Sequence, residues 1–514
     1  MATMPQTSSA PATIAVLAPL ALLASLLSCA PGPTERVNVV FITCDTLRAD
    51  RTTPYGYGRD TTPALARMAD EGLLAERAYS MSSWTLPSMS MLMTGEVKPL
   101  ADPAILKEHL TLAESFSAAG YRTAGIVANP LLGADYGYDR GLDHYVVAPA
   151  EAQMGTPASE VFGDGLAWLE ETSPSGKPFF LWLHPVDPHA PYSPIEGNAF
   201  QGSSGAGATR AHAARSLEVA YEGGLERANP ERLTDRVWEH ILDHRNRYDS
   251  SILQFDRQLG VLMEALAARG ELENTLIVVT SDHGEGLWQR AMNPDEIAKD
   301  ALFPALYDSH GAQLFEEQVQ VPLVLRGPGV PRGERMTAPV DLVDVAPTVL
   351  ALADVPVTRA YDGDALVTGG IATPPADTTV VSVCSRVRTI TVDGRWRLHK
   401  PRQHRMDHDL VGLRLYDLEA DPFELSPVDD ATLKAELEAK LEEWEATYSP
   451  GGVGRDGLSD QQILMLHQLG YGGEAEHVKR FIDSVDARVR GEVKPNSQAP
   501  TSPTPSAPPA SSVL

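Results

Sequence analysis

The sequence predicts an α/β protein: an α/β/α sandwich with a mostly parallel central sheet, followed by a smaller C-terminal antiparallel α+β subdomain. Three observations predict it. Short β-branched, apolar runs alternate with helical stretches along most of the chain, a pattern that gives a parallel sheet with helices on both faces. Acidic and histidine residues fall just past the ends of those runs, where open α/β sheets bind ligands. From about Thr379 the pattern changes to closely spaced strands around an Asp-Gly turn.

Residues 37–43 (VNVVFIT) read as a buried parallel strand, and 124–128, 179–183, 276–280 and 321–325 have the same character. Residues 111–119 form a helix stopped at Gly120. A longer helix with apolar residues at helical spacing covers 247–268 and ends at Gly270. The Gly/Ser/Ala-rich stretch 201–214 reads as a loop, and 288–308 is longer than an ordinary connection. Downstream, 388–392 and 395–399 flank Asp393-Gly394, a type I′ hairpin signal. Residues 413–418 add a strand and 431–448 an amphipathic helix. Residues 459–469 and 475–490 read as further helices, and 495–514 as a Pro/Ser/Ala-rich disordered tail. The organisation expected is a signal over 1–28, a main domain over 37–370, an α+β subdomain over 379–450, helices over 451–492 and a tail over 493–514.

With 514 residues, 43% of them hydrophobic, the chain can bury a large core. A net charge of −27 argues against nucleic-acid binding, which calls for a basic surface. An anion site in so acidic a chain needs local compensation, and a bound cation is the usual source. The apolar run 14–27, interrupted by Pro19 and Ser25, is too short to cross a bilayer, which takes about 20 residues, and it fits a secretory signal. It ends at Leu26-Leu27-Ser28-Cys29, which resembles a bacterial lipobox with Cys29 as the lipidated residue, although residues 1–13 contain no Lys or Arg. An ordinary cleaved signal or a short uncleaved anchor fits the same run. The expectation carried forward is export and membrane anchoring as a lipoprotein, in the periplasm or at the cell surface of a bacterium. Cys44 and Cys384 read as core residues.

Asp45 lies two residues past the first strand, a natural place for a hard-metal ligand and equally for a loop cap. In Ser82-Ser83-Trp84-Thr85-Leu86-Pro87, the proline suits a first helical turn and puts Thr85 at or near the N-cap. There a helix dipole favours an alkoxide or an anion; a plain capping role fits the same spacing. Ser281-Asp282-His283-Gly284-Glu285 directly follows the strand 276–280, and an adjacent Asp and His there can reach one metal. His184 and His189 follow the strand 179–183, and His310 precedes another strand.

Together these segments resemble the sulfatase branch of the alkaline phosphatase superfamily over about 37–472. The pieces that carry the resemblance are NVVFITCDTLRAD (38–50), WTLPSMSMLMTG (84–95), DPHAPY (187–192), NTLIVVTSDHGEG (274–286), SHGAQLFEEQVQVPLVLRGPG (309–329) and LYDLEADPFE (415–424). The resemblance implies a sulfatase-like catalytic domain over 37–370 with a metal-centred site. It implies Asp45, Asp282 and His283 as metal ligands, Thr85 as nucleophile and a further ligand, His189 as a contact to the substrate's anionic group, and His310 near the leaving group. Thr85 stands where sulfatases carry the Cys or Ser that becomes formylglycine, and Met89 stands at the Arg position of that motif. Threonine cannot become formylglycine, so no formylglycine is expected. Thr46 replaces a second Asp, which favours Mn²⁺, Mg²⁺ or Zn²⁺ over Ca²⁺ as the one divalent ion, and Lys98 is a candidate anion contact. The expected activity is metal-dependent hydrolysis of sulfate or phosphate esters, the anionic substrate being a glycan or a lipid. A group transferase acting on cell-surface glycans or lipids, and an inactive glycan-binding family member, are the alternatives.

Overall fold

In the computed structural model, the described residues are 36–448 without 98–108, 150–151, 153, 173–175, 205–206, 208, 223–227, 292–305, 385–386 and 402–411. The signal run, Cys29, Lys98, the helices expected over 451–492 and the tail lie outside them. The central sheet has eight strands: β1 (Asn38–Thr43), β2 (Leu73–Ala75), β3 (Arg122–Val127), β4 (His144–Val147), β5 (Phe179–His184), β6 (Thr275–Thr280), β7 (Leu323–Arg326) and β8 (Glu334–Met336). Their spatial order is β8-β2-β7-β6-β1-β5-β3-β4. β1 lies at the centre, parallel to both β5 and β6, with Val39 opposite Phe180 and Leu276. β3 continues the parallel set beside β5.

The alternation within β1 shows how the layers form. Val40 and Ile42 belong to one apolar core, and Val39 and Phe41 to the other, on opposite faces of the sheet. The first face is covered by α1 (Pro63–Asp70), α4 (Ala158–Thr172) and α6 (Asp235–Ala268). The second is covered by α2 (Thr85–Thr94), α3 (Leu112–Ala118) and α7 (Val345–Leu352). Both faces being apolar is why these strands read as continuous hydrophobic runs. A further helix, α5 (Arg210–Glu222), lies between β5 and α6 in the chain. After the sandwich come four antiparallel strands, β9 (Thr379–Val383), β10 (Val387–Val392), β11 (Trp396–Pro401) and β12 (Arg414–Asp417), and α8 (Ala431–Tyr448). Leu437 and Leu441 of α8 share a core with Ile390, Leu398 and Leu415.

The expected fold class is the observed one, with differences of detail. Residues 321–325 were expected as a parallel strand; β7 runs antiparallel to both neighbours and starts after Pro322. An apolar run reports burial on two faces and carries no sign of direction. The stretch 201–214 does not stay a loop, because α5 begins at Arg210. The helix expected from 247 begins at Asp235, capped by the Thr234 hydroxyl, which accepts from Val237 N. Its first turns are largely exposed and so lack the apolar periodicity that marks the rest. Asp393 and Gly394 have φ of 55° and 64°, as the two central residues of a type I′ turn require.

Asp256, buried on α6, accepts Ala64 N–H and Leu65 N–H at 2.8 Å each and so caps α1 from a neighbouring helix. Asp256→Ala leaves two buried helix-terminal donors without a partner. The expected loss is about 1–2 kcal/mol of stability, measured as a lower denaturation midpoint with an unchanged m-value.

Candidate active site

The carboxyl ends of β1, β5, β6 and β3 lie side by side, and the residues just past them meet the N-terminus of α2. Asp45 follows β1 by two residues, Asp282 and His283 follow β6, and all three are fully buried. One ligand atom from each lies within 4.8 Å of those of the other two. Thr85, expected at or near the N-cap, is the first residue of α2; the cap is Trp84, which makes no side-chain capping bond. The Thr85 hydroxyl lies 3.2 Å from His283 Nε2. The Ser88 hydroxyl donates to the Asp282 carbonyl at 2.5 Å, which fastens α2 to the loop after β6.

Hydrogen bonds fix which atoms face the centre. His283 Nδ1 lies 2.9 Å from the Gly284 carbonyl, which can only accept, so the neutral ring carries its proton there and presents the Nε2 lone pair inward. Asp282 Oδ1 accepts from Thr46 N and His283 N, while Asp282 Oδ2 has no hydrogen-bond partner. Asp45 Oδ2 accepts from Asn129 Nδ2 at 2.7 Å, while Asp45 Oδ1 has none. Burial alone would raise the Asp45 carboxyl. The imidazole of His184 beside it, with those of His189 and His283 close by, outweighs burial and holds the group below the usual carboxylate range. Two buried carboxylates that each turn a bare oxygen to one point repel, unless a cation sits between them. The donor set fits a divalent ion: two carboxylate oxygens, one imidazole nitrogen and a hydroxyl.

The loop backbone is built for this approach. Thr46, a β-branched residue, has φ 58°, a costly conformation held here by its N–H bond to Asp282 and by Tyr248, whose hydroxyl donates to Thr46 O. A Cβ on Gly284 would lie 2.1 Å from the Glu317 carbonyl, so only glycine fits after His283.

The structure brings His189 and His310 to the same place. Their rings are 5.0 Å apart, and the His310 ring is 4.5 Å from that of His283. His310 Nδ1 lies 3.1 Å from Glu285 Oε1. Burial, with the nearby His283, pushes His310 down to about 3; burial also lowers His189 and pushes Glu285 up to about 7. The stretch 288–308 is not simply a loop at its base. Gly286, Trp288 and Tyr307 N–H groups donate to Ser309, Tyr307 and Arg290 carbonyls, forming an antiparallel ribbon with Glu285 at one root and His310 at the other. Arg48 chelates Asp50 and donates to the Glu285 carbonyl and Gln289 Oε1, so it braces this ribbon. Met89 is buried in the apolar core with Leu86 and Leu92. Cys44 and Cys384 are both buried.

Sequence reasoning passed over two residues at this site. Asn129 follows β3 as Asp45 follows β1, and a polar residue past a strand end in Ala128-Asn129-Pro130 was the available signal. His184 was noted for its position but given no role; it is fully buried, with Nε2 3.4 Å from Asp45 Oδ2.

A mostly parallel α/β/α sandwich with carboxylates, an imidazole and a hydroxyl gathered at its strand ends has the architecture of a metal-site ester hydrolase. The comparisons with known proteins agree. The Sulfatase family model matches residues 37–355. An arylsulfatase of Klebsiella aerogenes is 25% identical over 410 residues, covering 62% of this chain and 87% of that protein. A solved structure in complex with its substrate D-glucosamine-2-N,6-O-disulfate superposes with a TM-score of 0.62 at 21% identity, covering 82% of this chain and 100% of that one. The phosphonate monoester hydrolase of Agrobacterium radiobacter gives a TM-score of 0.59 at 19% identity, covering 80% and 96%. The chain belongs to the sulfatase family, within the alkaline phosphatase superfamily, and is an ester hydrolase by class.

The donor set predicts one divalent ion per chain, removable by chelation. Asp282→Ala is expected to bring the metal content of the purified protein to background, measured by plasma emission spectrometry, while a wild-type protein purified without metal would sink the prediction.

Proposed function

We propose that this chain is an exported, metal-dependent hydrolase of sulfate or phosphate esters that uses the Thr85 hydroxyl as its nucleophile. The observation that carries the reading is the convergence of Asp45 Oδ1, Asp282 Oδ2, His283 Nε2 and Thr85 Oγ1 at the N-terminus of α2. A bound divalent ion would lower the pKa of a hydroxyl and polarise the ester. Thr85 sits at the positive end of α2, which favours negative charge on its oxygen. Attack forms a bond from Thr85 Oγ1 to sulfur or phosphorus and breaks the bond to the leaving oxygen, which takes up a proton. Water then cleaves the threonine ester and releases the anion. His310 and His189, both shifted by burial toward the neutral form, take up the hydroxyl proton and return it to the leaving oxygen. The side chain of Thr85 carries a methyl group on its carbinol carbon, so oxidation cannot give an aldehyde and the route does not use formylglycine.

A relative named N-acetylglucosamine-6-O-sulfatase, 23% identical over 539 residues, supports a sulfate ester of a sugar as the substrate class. A sulfated glycan is the substrate we favour. Export and anchoring at Cys29 rest on the apolar run 14–27 and the Leu-Leu-Ser-Cys that ends it.

The test compares aryl sulfate, aryl phosphodiester, phosphonate monoester and glucosamine 6-sulfate as substrates of the full chain, with Mn²⁺, Mg²⁺, Zn²⁺ or Ca²⁺. Thr85→Ala is expected to lower kcat/KM by at least about a thousandfold, with Thr85→Ser retaining turnover. Full turnover in Thr85→Ala would eliminate the threonine route.

A further inference from the structure

We propose that Asn129 is a positioning residue that holds Asp45 in the orientation presenting Oδ1 to the metal. The inference rests on the metal site proposed above. Asn129 is fully buried at the carboxyl end of β3. Its amide cannot be turned around: Oδ1 accepts the Leu131 N–H at 2.9 Å, capping the short helical turn Pro130–Leu132, which leaves Nδ2 as the end that meets Asp45 Oδ2 at 2.7 Å.

The sheet places a second ring beside Asp45. Trp182 Nε1, which can only donate, gives its proton to Thr43 Oγ1 at 2.9 Å. Thr43 Oγ1 lies 2.7 Å from His184 Nδ1, and His184 Nε2 lies 3.4 Å from Asp45 Oδ2, beside it without a hydrogen bond. Asn129 Nδ2 is therefore the donor that holds Oδ2, and Oδ1 is left to the centre with no hydrogen-bond partner. A carboxylate rotates easily about its last bond. A charge-assisted bond to one oxygen removes that freedom, and groups that orient a metal's ligands in this way commonly set its affinity.

Capping explains Asn129 Oδ1 but not Nδ2, and this separates the proposal from a purely structural role. Aspartate caps as well as asparagine but has no donor for Asp45. The experiment titrates the metal-stripped full chain, purified in detergent, with Mn²⁺ by calorimetry, and records Tm and the Mn²⁺ electron paramagnetic resonance spectrum. Asn129→Asp keeps the cap but sets a second buried carboxyl against Asp45, so the Tm of the metal-free chain is expected to fall, while the Mn²⁺ Kd weakens by about 10–100-fold and the spectrum changes. Should Asn129→Asp not fold, Asn129→Ser carries the same test, since serine also caps and cannot reach Asp45. A folded Asn129→Asp that binds Mn²⁺ as tightly as wild type, or more tightly, overturns the positioning role and leaves the metal site standing. A wild-type chain that binds no Mn²⁺, Mg²⁺, Zn²⁺ or Ca²⁺ overturns the metal site itself and this inference with it.

Discussion

Two carboxylates, Asp45 and Asp282, are fully buried with one bare oxygen each turned to the same point. Burying one unpaired charge is costly, and burying two of like sign side by side is more so. The surrounding structure is arranged to make that tolerable. Each carboxylate has its other oxygen tied, Asp45 by Asn129 and Asp282 by two backbone N–H groups. The strained backbone at Thr46 supplies one of those N–H groups, which gives the strain a physical purpose. The parallel register of β1 with β5 and β6 brings the donors together, because in register the three strands end at the same level.

The same arrangement explains what was legible in the sequence. Strand identity could be read because strands buried on two faces leave continuous apolar runs. The positions of Asp45, Asp282 and His283 could be read because they directly follow those runs. The direction of β7 could not, since antiparallel and parallel core strands look alike when both faces are covered. α5 was missed because Gly and Ser before Arg210 masked its start. Asn129 was harder still. Its significance lies in one amide bridging a backbone N–H and a carboxylate more than eighty positions away, and no local pattern records such a pairing.

Met89 shows a different limit. Read as a sequence, it stands where the family motif carries an arginine. In the structure it is a core residue on the buried side of α2, beside Leu86, Leu92 and the rings of the second core. All ten residues of that helix are buried. An apolar side chain there packs α2 against the sheet and keeps Thr85 at the strand ends, so the substitution is compatible with an intact nucleophile position.

The C-terminal subdomain also acts on the site, through charge. Glu424, after β12, accepts from His399 Nε2 at 2.8 Å and from Glu316 N at 2.8 Å, and faces Arg397 at 3.5 Å. Burial would raise it, but Arg397, His399 and Arg290 draw it down to about 2. Arg290 belongs to the ribbon whose far root is His310; its Nη2 donates to Glu317 at 2.8 Å, and its guanidinium lies over Phe315 at 3.9 Å. Glu317 in turn supplies the carbonyl that approaches Gly284. One buried network therefore joins the C-terminal sheet to both roots of the ribbon and to the loop carrying His283. Breaking one partner in such a network strands another charge in the interior. The subdomain is thus coupled to the geometry of the catalytic end of the sheet, although it contributes none of the residues gathered at its centre.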